Sequence, residues 1–180
     1  VRSFLTYLKV ERDASPHTLR SYEADLRQFQ EFLRTLHEGS VPAPAAIDSY
    51  AVRSFFAARA RRGDAKSSLG RKLATVRSLF KYLGREGIVT HSPAAMVITP
   101  KKEQRLPRVL SADDATRLME NPQTVRPRSA RDQAILEVLY SAGVRVAELV
   151  GLNVEDVDLE AGAATVMGKG RKERVVLLGD

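Results

Sequence analysis

Leu19, Tyr22, Leu26, Phe29, Leu33 and Leu36 recur at alternating spacings of three and four. That rhythm draws one apolar stripe along about five turns of helix, and such a helix must bury that face against other elements. Ser15-Pro16 marks its start, since the hydroxyl can accept from first-turn N–H groups and the proline ring presets φ. The stripe ends near Gly39, a residue suited to a helix end. Phe4, Leu5 and Leu8 predict a short helix ahead of it. Ile47, Tyr50, Phe55 and Ala58 predict a third, closed by Gly63. A fourth is expected from about Lys66 to Arg85, with Leu69, Leu73, Val76, Phe80 and Leu83 on one face.

From Gly87 to Leu110 the periodicity disappears, and Pro93, Pro100 and Pro107 interrupt the basic run Lys101, Lys102, Arg105 and Arg108. Such sequence marks a boundary, so a helical domain is expected over 1–87, a linker over 88–110 and a second domain over 111–180. Being basic, the linker either lies along phosphates or is simply solvated. Beyond it, Ser111 with Asp114 predicts a capped helix that stops at Asn121-Pro122, and Ser129 with Asp132 predicts another through Ile135, Leu136, Val138 and Leu139, ended by Gly143. A short helix from Arg145 to Val150 is closed by Gly151. Residues 153–160 read as turns. Two β-branched runs, Ala163–Met167 and Arg174–Leu178, flank a hairpin tip from Gly168 to Lys172. The fold class is therefore mainly α, with a mixed α+β second half built around a β-hairpin.

The 180 residues include no cysteine, which excludes disulfides, thiolate metal sites and a cysteine nucleophile. His17, His37 and His91 are too scattered to suggest a metal site. No apolar run approaches the roughly 18 residues of a membrane span and no secretory signal is visible, so a soluble, cytoplasmic protein with no membrane partner is expected. The formal charge is +7 and its placement is uneven: residues 1–100 hold 16 Lys+Arg against 9 Asp+Glu, and 101–180 hold 13 of each. Within the first half, residues 59–85 carry nine basic side chains against Asp64 alone. A patch of that kind on a folded domain either meets a polyanion or is a solvated face. On the fourth helix, Arg71, Lys81 and Arg85 point away from the apolar stripe together with Ser67, Ala74 and Ser78. Small residues between basic ones let a backbone come close. A merely solvating face more often carries Glu–Lys pairs, so the pattern favours DNA.

Gly168-Lys169-Gly170 invites a phosphate-loop reading, which fails. Gly162 is separated from Gly168 by five residues instead of four, Gly170 stands where Ser or Thr is needed, and the flanks are two strands. Two other features remain. Arg145 lies on a short apolar helix among Val144, Val146, Ala147, Leu149 and Val150, where a bare guanidinium is costly to bury, and Glu148 one turn on could pair with it. That pair is either structural or part of a site. Lys169 lies on the hairpin.

Tyr140-Ser-Ala-Gly-Val-Arg-Val-Ala-Glu-Leu-Val-Gly-Leu152, followed by Gly168-Lys-Gly-Arg-Lys-Glu-Arg174, resembles the first part of the catalytic domain of tyrosine recombinases, the phage-integrase family. Within that family it is most similar to the bacterial Xer chromosome-dimer resolvases. Ser15-Pro-His-Thr-Leu-Arg-Ser-Tyr-Glu-Ala-Asp-Leu26 and Ser67-Ser-Leu-Gly-Arg-Lys-Leu-Ala-Thr-Val-Arg-Ser-Leu-Phe-Lys-Tyr-Leu83 resemble its four-helix, SAM-like core-binding domain.

The resemblance implies DNA cleavage without metal or cofactor, by tyrosine attack on a phosphodiester that leaves a 3′-phosphotyrosyl link and a free 5′-hydroxyl. It implies that Arg145 grips the phosphate, that Lys169 protonates the departing 5′-oxygen and that Glu148 braces the arginine. For the first domain it implies DNA contacts at Thr18, Arg20, Lys66, Ser67, Arg71, Lys72, Arg77, Lys81 and Arg85. Its implied partners are double-stranded DNA carrying a recombination site and further recombinase subunits in a tetramer, a paralogous recombinase among them. In the family a His-x-x-Arg motif, a further His or Trp and the tyrosine nucleophile follow the hairpin. This sequence runs from Val1 to Asp180 without them, so a fragment that binds DNA but does not cleave it is expected. Tyr140 precedes Arg145, unlike the family's nucleophile, and a packing role is expected for it. A phage or integron integrase and a non-catalytic DNA-binding protein of the same fold remain as alternatives.

Overall fold

The computed structural model describes residues 1–98, 106, 109–120, 130–168, 170 and 172–179, and the chain divides into two compact units, Val1–Arg105 and Leu106–Asp180. The first unit is built from α1 (Arg2–Val10), α2 (Pro16–Leu36), α3 (Ser49–Arg61) and α4 (Lys66–Arg85). The Ser15 hydroxyl accepts from the Thr18 backbone N–H at 3.2 Å, with Pro16 in the first turn, so α2 starts where its sequence says. It ends through Glu38 and Gly39 at positive φ, with the Gly39 N–H returning to the Arg34 carbonyl at 2.8 Å. Asp48 caps α3 by accepting from the Ala51 N–H at 2.8 Å. That start turns Ala51, Val52 and Phe55 inward and leaves Tyr50, expected on the apolar face, 64% exposed.

Phe4 and Leu8 of α1, Leu26, Phe29 and Leu33 of α2, Phe55 of α3 and, from the expected α4 stripe, Leu73, Val76, Phe80 and Leu83 form one core, joined by Leu79. The segment after α4 joins it. Val89, Ala94 and Val97 are buried there, and Arg77 donates to the carbonyls of Ala94 (3.1 Å) and Val97 (2.6 Å). The beginning of the expected linker is thus packed against the helical unit by apolar residues too irregularly spaced to show a period.

The second unit contains α5 (Ala112–Glu120), α6 (Ala130–Ala142), α7 (Val146–Val150) and the antiparallel strands β1 (Val157–Asp158), β2 (Ala163–Met167) and β3 (Glu173–Leu177), in the order β1-β2-β3. Ser111 caps α5 by accepting from the Asp114 N–H at 3.1 Å. The expected stop at Asn121-Pro122 and the start at Ser129 lie outside the described residues. β1 falls in the stretch expected to be turns and pairs Val157 with Ala164; two residues are too few to show alternation. In the hairpin, Ala163 faces Leu177 and Met167 faces Glu173. Val144, Ala164, Val166 and Val176 form a small core, with Val138 and Leu139 of α6 packed against it. Tyr140 does not pack as expected. It is 69% exposed, because α6 turns Val138 and Leu139 to the core and Tyr140 away from it. No described helix is long and apolar enough to cross a membrane.

Candidate functional site

The second unit holds a site around one carboxylate. Gly143, at φ +57°, ends α6 and lets the chain turn into α7. Glu148, in the first turn of α7, folds back so that Oε2 accepts from the Arg145 backbone N–H at 2.8 Å and Oε1 accepts from Arg145 Nη1 at 2.7 Å. A second guanidinium arrives from β3: Arg174 donates Nη1 to Oε1 at 2.9 Å and Nη2 to Oε2 at 2.8 Å. The Glu148 side chain is only 4% exposed, whereas that of Arg145 is 69% exposed. Hydrogen bonds from Arg174 and then Arg145 hold the Glu148 carboxyl well below the usual carboxylate range, against the opposing effect of desolvation. The pair foreseen in the sequence is therefore a triad, with Arg145 braced at its root and its guanidinium largely in solvent. Such a fork, with N–H groups in a fixed plane, suits an oxyanion with two accessible oxygens.

Arg174 was missed as a site residue. Its signal was present: it lies two residues from buried Val176 on one strand, so alternation points it to the inner face, where an arginine needs a partner. Lys169 lies outside the described residues. Gly168, which precedes it, closes the turn by donating its N–H to the Lys172 carbonyl at 2.8 Å.

In the first unit, the expected DNA-contacting residues differ in their exposure. Arg20, Lys66, Ser67 and Lys81 are exposed. Thr18 is half-buried in the cap of α2, its hydroxyl 3.0 Å from that of Ser15. Lys72 is a correction. It is 4% exposed, with Nζ 3.3 Å from Asp25 and 3.6 Å from Asp64, so it serves the interior and presents no charge to a ligand. The reason is angular, because Lys72 falls on the α4 face that carries Leu69, Val76 and Leu79. Asp25 is 1% exposed and also takes Arg71 and the Thr75 hydroxyl (3.1 Å), so the half-exposed Arg71 guanidinium is anchored from below. Desolvation opposes ionisation of Asp64, yet hydrogen bonds from Arg59 and the charge of Lys72 hold its carboxyl below the usual range. Arg77 spends donors on the carbonyls of residues 94–97. Arg85 donates to Glu11 (2.9 Å) and Glu86 (3.1 Å) and lies 4.3 Å over the Tyr7 ring, tying α4 to α1.

Ala74 and Ser78 floor a groove of about 600 Å³ between α1, α2 and α4, walled by Tyr7, Arg12, Tyr22, Arg77, Lys81, Tyr82 and Arg85. Tyr7, Arg12 and Tyr22 had not been read as part of this face, since they belong to segments remote from α4 in sequence. A basic groove with small residues at its base and aromatic rings in its walls offers a polyanion both charge and close approach.

Residues 1–87 match the family model described as phage integrase, N-terminal SAM-like domain, and residues 108–180 match that of the phage integrase family. The chain belongs to the phage integrase family, the tyrosine recombinases. It is 46% identical over 179 residues to the tyrosine recombinase XerC of Pelobacter propionicus and 37% identical to the tyrosine recombinase XerD of Listeria monocytogenes, in each case across 99% of this chain. It spans about 60% of the length of these curated relatives, 59% of the first and 60% of the second. Among solved structures, a lambda integrase dimer bound to a COC′ core site has the same fold, with a TM-score of 0.73 at 18% identity over 98% of this chain and 62% of that one. A lambda integrase tetramer bound to a Holliday junction gives 0.73 at 19% identity, over 98% of this chain and 50% of that one.

Proposed function

We propose that this chain supplies the DNA grip and part of the phosphate-binding machinery of a Xer-type site-specific recombinase, one that resolves chromosome dimers. The observation that carries the reading is Arg145, braced by a buried carboxylate while its guanidinium stays open to solvent. In the reaction, a tyrosine oxygen bonds to phosphorus, the bond to the 5′-oxygen breaks, and that oxygen takes up a proton. Arg145 stabilises the charge that grows on the non-bridging oxygens, and Lys169 delivers the proton. Glu148 holds Arg145 in place. Arg20, Lys66, Ser67 and Lys81 contact the DNA backbone, with Arg71 presented above Asp25. The substrate is duplex DNA bearing a recombination site, and four subunits, including a paralogous recombinase, act on it together.

This reading draws the nucleophile from the part of the curated relatives' length that this chain does not span. The test is covalent trapping. A nicked duplex carrying the sequence that this chain enriches from a random library is incubated with the full-length recombinase and with the 180-residue chain. The reading expects a denaturation-resistant 3′-phosphotyrosyl adduct from the former and none from the latter. An adduct from the 180-residue chain that Tyr140→Phe abolishes would reassign the nucleophile. No adduct from the full-length protein would favour a DNA-binding protein without catalysis.

A further inference from the structure

We propose that Arg174 is a positioning residue that fixes the hairpin bearing Lys169 against the helix bearing Arg145, an inference that rests on the recombinase reading. The strand ladder already sets the hairpin's own register, with Arg174 opposite Val166 and Met167 opposite Glu173. What the ladder does not set is the placement of the turn against α7. There the Arg174 fork spans both oxygens of Glu148 at 2.9 and 2.8 Å, and Glu148 in turn holds the Arg145 backbone and guanidinium. Two parallel N–H···O bonds fix orientation as well as distance, which one ammonium cannot do.

The same fork leaves no room for a side chain at Gly168, where the turn begins. A Cβ added at Gly168 would stand 3.2 Å from Arg174 Nη1, 3.2 Å from the Lys172 carbonyl and 3.6 Å from Glu148 Oε1. Gly168, one position before Lys169 in the sequence, therefore leaves room for the Arg174 guanidinium and the Lys172 carbonyl. Arg174 thus holds the brace of the phosphate-gripping arginine and lies beside Gly168, the residue before Lys169 in the sequence. Its removal leaves Glu148 bound to Arg145, and leaves β2 and β3 held to α7 by the apolar packing of Leu149 and Leu152 alone, without a bond that fixes orientation.

The consequence is selective. Loss of Arg174 should impair proton delivery more than phosphate gripping, because Arg145 keeps its brace. The experiment compares full-length wild type, Arg174→Ala, Arg174→Lys and Gly168→Ala on a nicked duplex with an ordinary 5′-oxygen and on one with a 5′-bridging phosphorothiolate, whose sulfur leaves without a proton. Misplacement of a reacting group by about an ångström costs on the order of 100-fold, so Arg174→Ala should lose about that on oxygen. It should recover most of it on sulfur, with unchanged DNA affinity. Arg174→Lys should behave like Arg174→Ala. Gly168→Ala keeps every charge and crowds the fork, and should show a smaller loss with the same recovery on sulfur. Equal losses on both substrates, or no loss on oxygen, would overturn the inference while leaving the recombinase reading intact. A wild type that cleaves neither substrate would overturn the reading and the inference with it.

Discussion

Lys72 and Asp25 form an ion pair inside the helical unit, Nζ to Oδ1 at 3.3 Å, with both side chains no more than 5% exposed. It joins α4 to α2 and belongs to a chain of charges that continues to Asp64 and Arg59. Removing one partner of an isolated buried pair costs about 3–5 kcal/mol, and here each survivor keeps a second partner, Asp64 for Lys72 and Arg71 for Asp25, so the cost should fall below that range. Asp25→Asn, which takes the shared anion from Lys72, Arg71 and Thr75 at once, should lower the melting temperature of the 1–180 chain by several degrees, and Lys72→Met by less, because Asp25 keeps Arg71 and the Thr75 hydroxyl. Calorimetry or circular dichroism of the two variants measures this.

The triad makes a different prediction, one of pH. Glu148 ordinarily titrates near 4.5, and Arg174 and Arg145 depress it in the folded state. A depressed carboxyl contributes stability that is fully present above its unfolded value and is lost as pH falls through the folded one. The second unit should therefore lose stability progressively from about pH 4.5 downward. Glu148→Gln should start less stable at pH 7 and show a shallower acid slope, read by denaturant titration at several pH values.

For the chemistry, Arg145→Lys should remain nearly inactive in the full-length recombinase, since an ammonium cannot reproduce the planar fork. Loss of a charge-stabilising donor costs about 100- to 1,000-fold in rate. Lys169→Ala should be rescued by a 5′-bridging phosphorothiolate, whereas Arg145→Ala should not. Cleavage rates of the two variants on oxygen and sulfur substrates decide it, and equal rescue of both would remove the general-acid role of Lys169.

The helices were legible because their apolar spacing, caps and glycine stops agree: Ser15-Pro16, Lys66–Arg85 and Gly143 all fall where local chemistry puts them. Partnerships between distant residues were not. Asp25 sits beside Leu26 and one turn from Tyr22 and Phe29, so its place on the buried side of α2 was visible, but nothing local says that Arg71 and Lys72, some 46 residues on, would meet it. The same holds for Arg174 and Glu148, 26 residues apart, which come together only when the hairpin folds against α7. Charge composition counts every basic residue of 59–85 alike, and it does not show that carboxylates and backbone carbonyls elsewhere in the unit engage Lys72, Arg77 and Arg85.

The most direct test of the DNA-gripping account is the salt dependence of duplex binding by the 1–180 chain, followed by fluorescence anisotropy. Each neutralised phosphate contributes about −0.9 to the slope of log affinity against log salt. With five phosphates held by Arg12, Arg20, Lys66, Arg71 and Lys81, the slope should lie at about −4.5. Arg12→Ala with Lys81→Ala should flatten it by about 1.8, while Arg53→Ala on α3, away from the groove, should leave it unchanged. Binding that ignores both salt and the Arg12 and Lys81 substitutions would contradict the account.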